Sequence, residues 1–208
     1  MPRVFTAKAG KDYPDHDIKK GDTYFYWSFF RGRKQMSKTM PKRSQTTGSS
    51  KLANVYAAEE SLQDALNSAA CLDDVIGALD QAISDAESCV DEYNEAIDNL
   101  NEGFPNGCPQ IDETEQARDT IESWKDELES AKSEVEGLDA NNYIDEDERK
   151  EETKAELEEE LSRVPTDEEV QARFDLLSID GWDDLHGDEQ EAMLSDAQDT
   201  ANAISLEL

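Results

Sequence analysis

The sequence predicts a mainly α-helical protein, in which a small basic β-hairpin module precedes an acidic antiparallel helical hairpin of coiled-coil type and additional short helices. Aromatic residues cluster between residues 23 and 30, apolar residues recur at heptad spacing after residue 60, and the two regions carry opposite charge. These observations place a basic aromatic module at 1–45, a linker at 46–50, the helical hairpin at 51–140 and an acidic helical region at 141–208.

The charge is divided unevenly along the chain. Residues 1–52 contain 12 Lys or Arg against 4 Asp, a net charge of +8, whereas residues 53–208 contain 8 Lys or Arg against 47 Asp or Glu, a net charge of −39. No Lys or Arg lies between Lys51 and Arg118. Such asymmetry indicates two parts that bind different partners or attract each other.

The first module is predicted from its aromatic residues. Residues 1–22 are expected to be an irregular lead-in, because Pro and Gly interrupt any periodicity. Six of the eight residues from Thr23 to Phe30 are aromatic, which favours a strand with Tyr24 and Tyr26 on one face and Trp27 on the other. Residues 33–39 can return as a second strand after a turn at Arg31-Gly32.

Two long helices are predicted after the linker. The first, if it is continuous to Glu102, is roughly 75 Å long at 1.5 Å per residue, with Gly77 as the place for a bend. Its stripe comprises Leu62, Leu66, Ala69, Ile76, Ile83, Val90, Ile97 and Leu100. The turn-forming segment 103–109 should reverse the chain into a second helix over about 112–137, which would complete an antiparallel hairpin. Its stripe comprises Ile121, Trp124, Leu128, Ala131, Val135 and Leu138.

Three shorter helices are predicted in the last third of the chain. Residues 146–163 should form a charged, exposed helix. Thr166 and Glu169 make a capping box that starts a short helix with Val170, Phe174 and Leu177 inward. A final helix is expected over 188–205, and we expect the last two helices to fold back on the hairpin. Its apolar face comprises Met193, Leu194, Ala197, Ala201 and Ile204.

The basic module is the candidate nucleic-acid site, because cations contact phosphates and unpaired bases stack on aromatic rings. The candidate residues are Lys19, Lys20, Tyr24, Tyr26, Trp27, Arg31, Arg33, Lys34, Lys38, Lys42 and Arg43. Two alternatives stay open. The aromatic residues could be the core of the module with a solvated basic rim, or the module could dock on the acidic helices of the same chain.

Catalytic and metal-binding patterns are missing from the sequence. The two histidines, His16 and His186, lie in no nucleophile or base motif, and no phosphate-binding or dinucleotide-binding loop is present. Cys71, Cys89 and Cys108 form no Cys-x-x-Cys pair and are expected to be reduced thiols. We therefore expect no enzymatic activity, no cofactor and no structural metal, and the absence of a long apolar run predicts no membrane segment.

The N-terminal segments Lys8-Ala9-Gly10-Lys11-Asp12-Tyr13-Pro14, Ile18–Tyr24, Ser37–Pro41 and Ser44-Gln45 carry a resemblance. Over about the first 50 residues the chain resembles the N-terminus of uncharacterised phage and prophage proteins. That group has no assigned activity, so the resemblance implies a viral setting and assigns no functional residue.

Three functions are compatible with these patterns. The first is a non-enzymatic, phage-type interaction protein, whose basic module binds nucleic acid or an acidic surface and whose helices bind a protein. The second is an acidic DNA mimic that inhibits a host nucleic-acid-binding or defence protein. The third is a structural virion or scaffold protein that forms homo-oligomers through heptad seams. The expected location is the host cytoplasm or the virion.

Overall fold

A computed structural model of the chain describes residues 2–29, 32–48, 50–176 and 181–206. Three antiparallel strands form a small sheet at the N-terminus, and the described residues that follow contain six α-helices. The prediction of a mainly helical protein with a small N-terminal β region is thus confirmed. The largest apolar cluster lies among the helices, and a smaller cluster lies on the sheet.

The sheet has the order β1-β2-β3, formed by β1 (Phe5–Lys8), β2 (Thr23–Ser28) and β3 (Lys34–Ser37). Phe5 pairs with Tyr26, and Tyr26 pairs in turn with Met36. The loop between β1 and β2 folds over one face, where the backbone N–H of Tyr13 donates to the carbonyl of Ile18 at 2.8 Å. Ile18, which is 1% exposed, packs there with Tyr24.

Two expectations for this region are corrected. The lead-in is not irregular throughout, because residues 5–8 form β1 and extend the predicted hairpin to three strands. The described part of the aromatic strand ends at Ser28, and Phe30 and Arg31 lie outside the described residues. The turn before β3 is described at Gly32, whose N–H donates to the carbonyl of Phe29 at 2.8 Å.

The first long helix is divided in two, so it is not continuous to Glu102. Helix α1 (Ser50–Ser68) ends before Ala69, and α2 (Leu72–Gly103) begins after an extended Cys71. The Asp74 carboxylate accepts the backbone N–H of Ala70 at 2.9 Å, which stabilises the turn. Gly77 lies within α2, so it is not where the chain bends.

Helices α1 and α3 (Pro109–Glu136) both run antiparallel to α2. Near the start of α1, Lys51 donates to the carbonyl of Glu92, and near the end of α3, Lys132 lies 2.7 Å from Asp80. The predicted stripe of α3 packs against the neighbouring helices. All of its members except the half-buried Leu138 are buried: Ile121, Trp124, Leu128, Ala131 and Val135. The stripe therefore makes its contacts within the same chain.

Helix α6 (Gly187–Asn202) packs against α1, α2 and α3 and completes the bundle. The side chain of Gln198 donates to the carbonyl of Leu66 at 2.9 Å, and the N–H of Leu206 donates to Glu59 at 3.2 Å. These contacts set α6 antiparallel to α1. The final helix thus folds back as expected, with Met193, Ala197 and Ala201 buried.

Helices α4 (Glu146–Leu161) and α5 (Asp167–Phe174) pack on each other beside the bundle. The capping box of Thr166 and Glu169 is confirmed, and Val170 is buried at 7% exposure. Leu177, predicted to point inward, lies outside the described residues. The short helix thus packs on α4, which corrects the expectation that it joins the bundle, since the apolar faces of α1, α2, α3 and α6 already cover one another.

The three cysteines are free, and only Cys89 is buried. Its position in the bundle core raises the pKa of its thiol to about 11, mainly because burial disfavours the thiolate. A thiol with so high a pKa is a packing residue rather than a nucleophile.

Candidate nucleic-acid interface

Four aromatic rings form a row on one face of the sheet, which we call the aromatic face. The rings of Phe5 and Tyr26 are stacked, with centroids 5.3 Å apart and planes inclined by 19°. Tyr24 lies 6.0 Å from Tyr26, and Tyr13 lies 5.9 Å from Tyr24. The row arises because Tyr24 and Tyr26 are two residues apart on β2, while Phe5 is the cross-strand partner of Tyr26.

Three cations lie over these rings. They are Arg3 over Phe5, Lys11 over Tyr13 and Lys34 over Tyr26, at 5.3, 5.4 and 3.6 Å from the respective centroids. Each distance is within the range of a cation–π interaction. The arrangement places positive charge beside flat apolar surfaces, the combination that a phosphate and its stacked base require.

The rings differ in what they offer to a ligand. Tyr24 is only 5% exposed and belongs to the small core of the module. Phe5 is 43% exposed, and Tyr26 and Tyr13 are half-buried. The accessible surface is therefore mainly that of Phe5 and Tyr26, with Lys34 and Arg3 beside them.

Four more of the candidate cations lie elsewhere in the module, and all of them are exposed: Lys19, Lys20, Arg33 and Lys38. The ammonium group of Lys38 lies 3.8 Å from both Asp17 and Asp22, so its charge is partly balanced within the module. Arg31, another candidate, lies outside the described residues.

The remaining three candidates, Trp27, Lys42 and Arg43, lie at the junction between the module and α1. Trp27 is 5% exposed, and its indole N–H donates to the carbonyl of Gln45 at 3.2 Å. Because Trp27 and Tyr26 are neighbours on a strand, their side chains point to opposite faces. The aromatic face therefore lies on the side of the sheet opposite this junction.

The junction joins a basic turn to carboxylates of α1. Lys42 Nζ lies 2.5 Å from Asp64, and the hydroxyl and backbone N–H of Ser44 donate to the two carboxylate oxygens of Glu60 at 2.5 and 2.9 Å. The Arg43 guanidinium lies 3.8 Å above the Tyr56 ring. The hydrogen bond that the Lys42 ammonium group donates to Asp64 raises the pKa of Lys42. This part of the basic module thus contacts the chain's own acidic helix.

Comparison of the chain with family models, with curated proteins and with solved structures gives no match. The function is therefore inferred from the arrangement of side chains alone.

Sequence reasoning missed the β1 side of the aromatic face, namely Arg3, Phe5, Lys11 and Tyr13. A signal was present, because Val4, Phe5 and Thr6 are residues that favour strands. The prolines and glycines around them instead predicted an irregular segment. The contribution of Tyr13 depends on a loop that folds back over the sheet, which local sequence does not encode.

The bundle presents a contrasting acidic surface. Five exposed carboxylates follow one face of α2 at intervals of three or four residues: Glu87, Asp91, Glu95, Asp98 and Glu102. Among the residues that the structure describes, no group of three or more His, Cys, Asp or Glu side chains is placed to hold a metal ion. No helix within those same residues is both long and apolar enough to cross a membrane.

Proposed function

We propose that this is a non-enzymatic binding protein whose aromatic face contacts single-stranded nucleic acid. The observation that supports the proposal is the row of rings from Phe5 to Tyr13 with Arg3, Lys11 and Lys34 over it, on the side of the sheet away from α1. A duplex keeps its bases stacked inside, whereas a single strand can offer both bases and phosphates to such a surface.

In the proposed complex, the rings stack on bases and the cations contact phosphates. Stacking of a base on an aromatic ring contributes about 1–3 kcal/mol and tolerates any sequence. Phe5 and Tyr26 are the accessible rings, and the flexible stem of Lys34 allows its ammonium group to leave the ring and meet a phosphate. The bundle, with its acidic surface, would then be available to a protein partner.

The proposal predicts that Lys34→Met weakens binding of a single-stranded oligonucleotide and lowers its dependence on salt. Loss of one phosphate contact should reduce the slope of log affinity against log salt by about 0.7. Phe5→Ala should weaken binding roughly tenfold by removing a stacking surface. Fluorescence anisotropy of labelled single-stranded and duplex DNA and RNA, across a salt series with the full chain, measures both effects.

Lys154→Met provides the matched control, because Lys154 is an exposed lysine on α4, outside the module. It should leave affinity and salt slope unchanged. Equal losses in the Lys34 and Lys154 variants would indicate nonspecific attraction, and absence of binding by the parent protein to any single strand would end the proposal.

A second candidate function is inhibition of a nucleic-acid-binding protein by acidic mimicry. The supporting observation is the row of five carboxylates on α2, whose neighbours three or four residues apart repel each other. A phage setting, suggested by the N-terminal resemblance, suits this function as well as the first. The bundle would present this row to the basic groove of the target.

Mimicry predicts displacement of duplex DNA from a basic DNA-binding protein, such as a bacterial DNA-bending protein used as the probe. The variant with Glu87→Gln, Asp91→Asn and Glu95→Gln should displace less DNA, and raised salt should weaken displacement by the parent protein. Unchanged displacement by this variant would reject the α2 row as the mimic.

A further inference from the structure

The two accessible rings of the aromatic face are farther apart than neighbouring bases in a stacked strand. The centroids of Phe5 and Tyr26 are separated by 5.3 Å, and the planes of the two rings are inclined by 19°. Successive bases along one strand of a helix are separated by about 3.4 Å. Two neighbouring bases that each lie on one of these rings are therefore too far apart to stay stacked on each other.

The next accessible ring lies farther along the row. Tyr24 follows Tyr26 at 6.0 Å but is only 5% exposed, because it packs with Ile18 in the core of the module. The half-buried Tyr13 lies beyond it, 5.9 Å from Tyr24. A strand that follows the row from Phe5 to Tyr13 thus meets accessible rings at intervals wider than base stacking, so it has to bind in an extended form.

The cations over the rings attract all strands of one length equally. Arg3, Lys11 and Lys34 can contact phosphates, and strands with the same number of nucleotides carry the same number of phosphates. A preference between such strands therefore depends on their bases, and in particular on the free energy needed to separate neighbouring bases.

That free energy differs between purine and pyrimidine strands. An interior adenine of a stacked strand is covered on both faces by its neighbours, whereas a protein ring covers only one face of the base. Moving adenine from its neighbours to a ring therefore loses stacking surface. Thymine and cytosine stack weakly on their neighbours, so pyrimidines gain the ring contact with little loss, and strand flexibility of this kind produces preferences for pyrimidine runs.

We propose that the ligand of the aromatic face is an unstacked, pyrimidine-rich single strand, selected because Phe5 and Tyr26 hold neighbouring bases apart. The inference rests on the proposed function and adds the ligand class to it. Selection then follows from the stacking strength of the strand, and it requires no hydrogen bond to a base edge.

The test is fluorescence anisotropy of the full chain with labelled homo-oligomers of about eight nucleotides. We expect oligothymidylate and oligocytidylate to bind with similar affinity, and oligoadenylate to bind at least about fivefold more weakly. This ratio of affinities should stay constant across a salt series, because the three strands have equal numbers of phosphates. It should shrink on warming, because heat unstacks the free adenine strand.

The possible results separate the inference from the proposed function. Equal or tighter binding of oligoadenylate would overturn the inference and leave the proposed function standing. Binding of oligothymidylate without binding of oligocytidylate would do the same, because recognition would then depend on a base edge. If none of the three strands binds, the inference and the proposed function both fall.

Two variants separate the effect of the ring pair from that of the cations. Phe5→Leu keeps an apolar side chain at a position that is 43% exposed but removes one of the two rings, so neighbouring bases no longer have to separate. It should weaken binding of the pyrimidine strands and bring the ratio of affinities close to one. Lys34→Met should weaken binding of all three strands by the same factor. A ratio that Phe5→Leu leaves unchanged would overturn the assignment of selection to the ring pair.

Discussion

Replacing Leu128 with alanine is expected to destabilise the protein by about 3 kcal/mol. Leu128 is completely buried and lies in the α3 stripe, within the cluster shared by α1, α2, α3 and α6. Alanine removes the transfer free energy of the lost atoms and leaves a cavity, because neighbours such as Trp124 and Val135 on the same face relax only in part. The loss should be large, since a 208-residue chain has only a modest net stability.

Urea unfolding followed by circular dichroism measures this loss as a lower midpoint with an unchanged slope. Leu176→Ala is the matched control, because Leu176 is 78% exposed and its truncation should change stability by less than about 0.5 kcal/mol. A Leu128 variant as stable as the parent would contradict the position of α3 in the bundle.

The parent should also gain stability as salt is added, because screening reduces the repulsion expected from a net charge of −31.

The apolar stripe of α3 was the most predictable part of the fold. Ile121, Trp124, Leu128, Ala131 and Val135 follow steps of three and four, and all five are buried. Periodicity identifies such a face without any knowledge of the partner helix. It could not say that the partner surface comes from the same chain, because a heptad seam pairs equally well within and between chains.

The division between α1 and α2 could not be predicted from the same pattern. Ala69, Ala70 and Cys71 are compatible with a helix, and the stripe continues in phase across them. Their departure from the helix is compensated by tertiary burial, because Val55, Leu62 and Leu66 then pack on α2. Gly77 was the stronger local signal for a bend, yet it is tolerated on the exposed face of α2.

The candidate site was predicted in composition but not in arrangement. Alternation along β2 correctly separated Tyr26 from Trp27. Which face would meet α1 depended on the Ser44–Glu60 and Trp27–Gln45 contacts, which are tertiary. The two alternatives considered from the sequence each describe a part of the module, because Tyr24 belongs to its core and Lys42 contacts α1 of the same chain. The side chains of Phe5 and Lys34 remain accessible to a ligand.

The second large effect is expected at the ion pair that fastens α4 to α6. Arg149 donates to both carboxylate oxygens of Glu189, at 3.2 and 2.5 Å, and the pair is buried, with side chains 11% and 4% exposed. The backbone N–H groups of Asp145 and His186 complete the contacts of the carboxylate, at 3.0 and 2.8 Å. Arg149→Met should therefore cost about 3 kcal/mol, because it leaves a buried charge without its partner.

The exposed pair Arg163–Glu169 provides the matched control. The pKa values of both carboxyl groups, Glu169 and Glu189, are lowered to about 2, in each case mainly by the arginine hydrogen bond. The side chains of Arg163 and Glu169 are 52% and 38% exposed, however, so solvent screening removes most of the contribution of that pair to stability. Arg163→Met should consequently change the unfolding midpoint little, while Arg149→Met lowers it clearly. Similar losses in the two variants would contradict the burial of the Glu189 pair.

The pH dependence of the Glu189 contribution follows from the direction of its pKa shift. The folded-state pKa of about 2 lies below the ordinary value of 4.5, so the folded protein favours the ionised carboxylate. The contribution is fully present above pH 4.5 and is lost as the pH falls toward 2. The stability difference between the parent and Glu189→Gln should accordingly shrink over that interval, as measured by urea unfolding at each pH. Protonation of the other carboxylates reduces charge repulsion in both proteins, so this effect cancels in the stability difference between the parent and Glu189→Gln. A stability difference that stays constant down to pH 2 would show that Glu189 is not held as an ion pair.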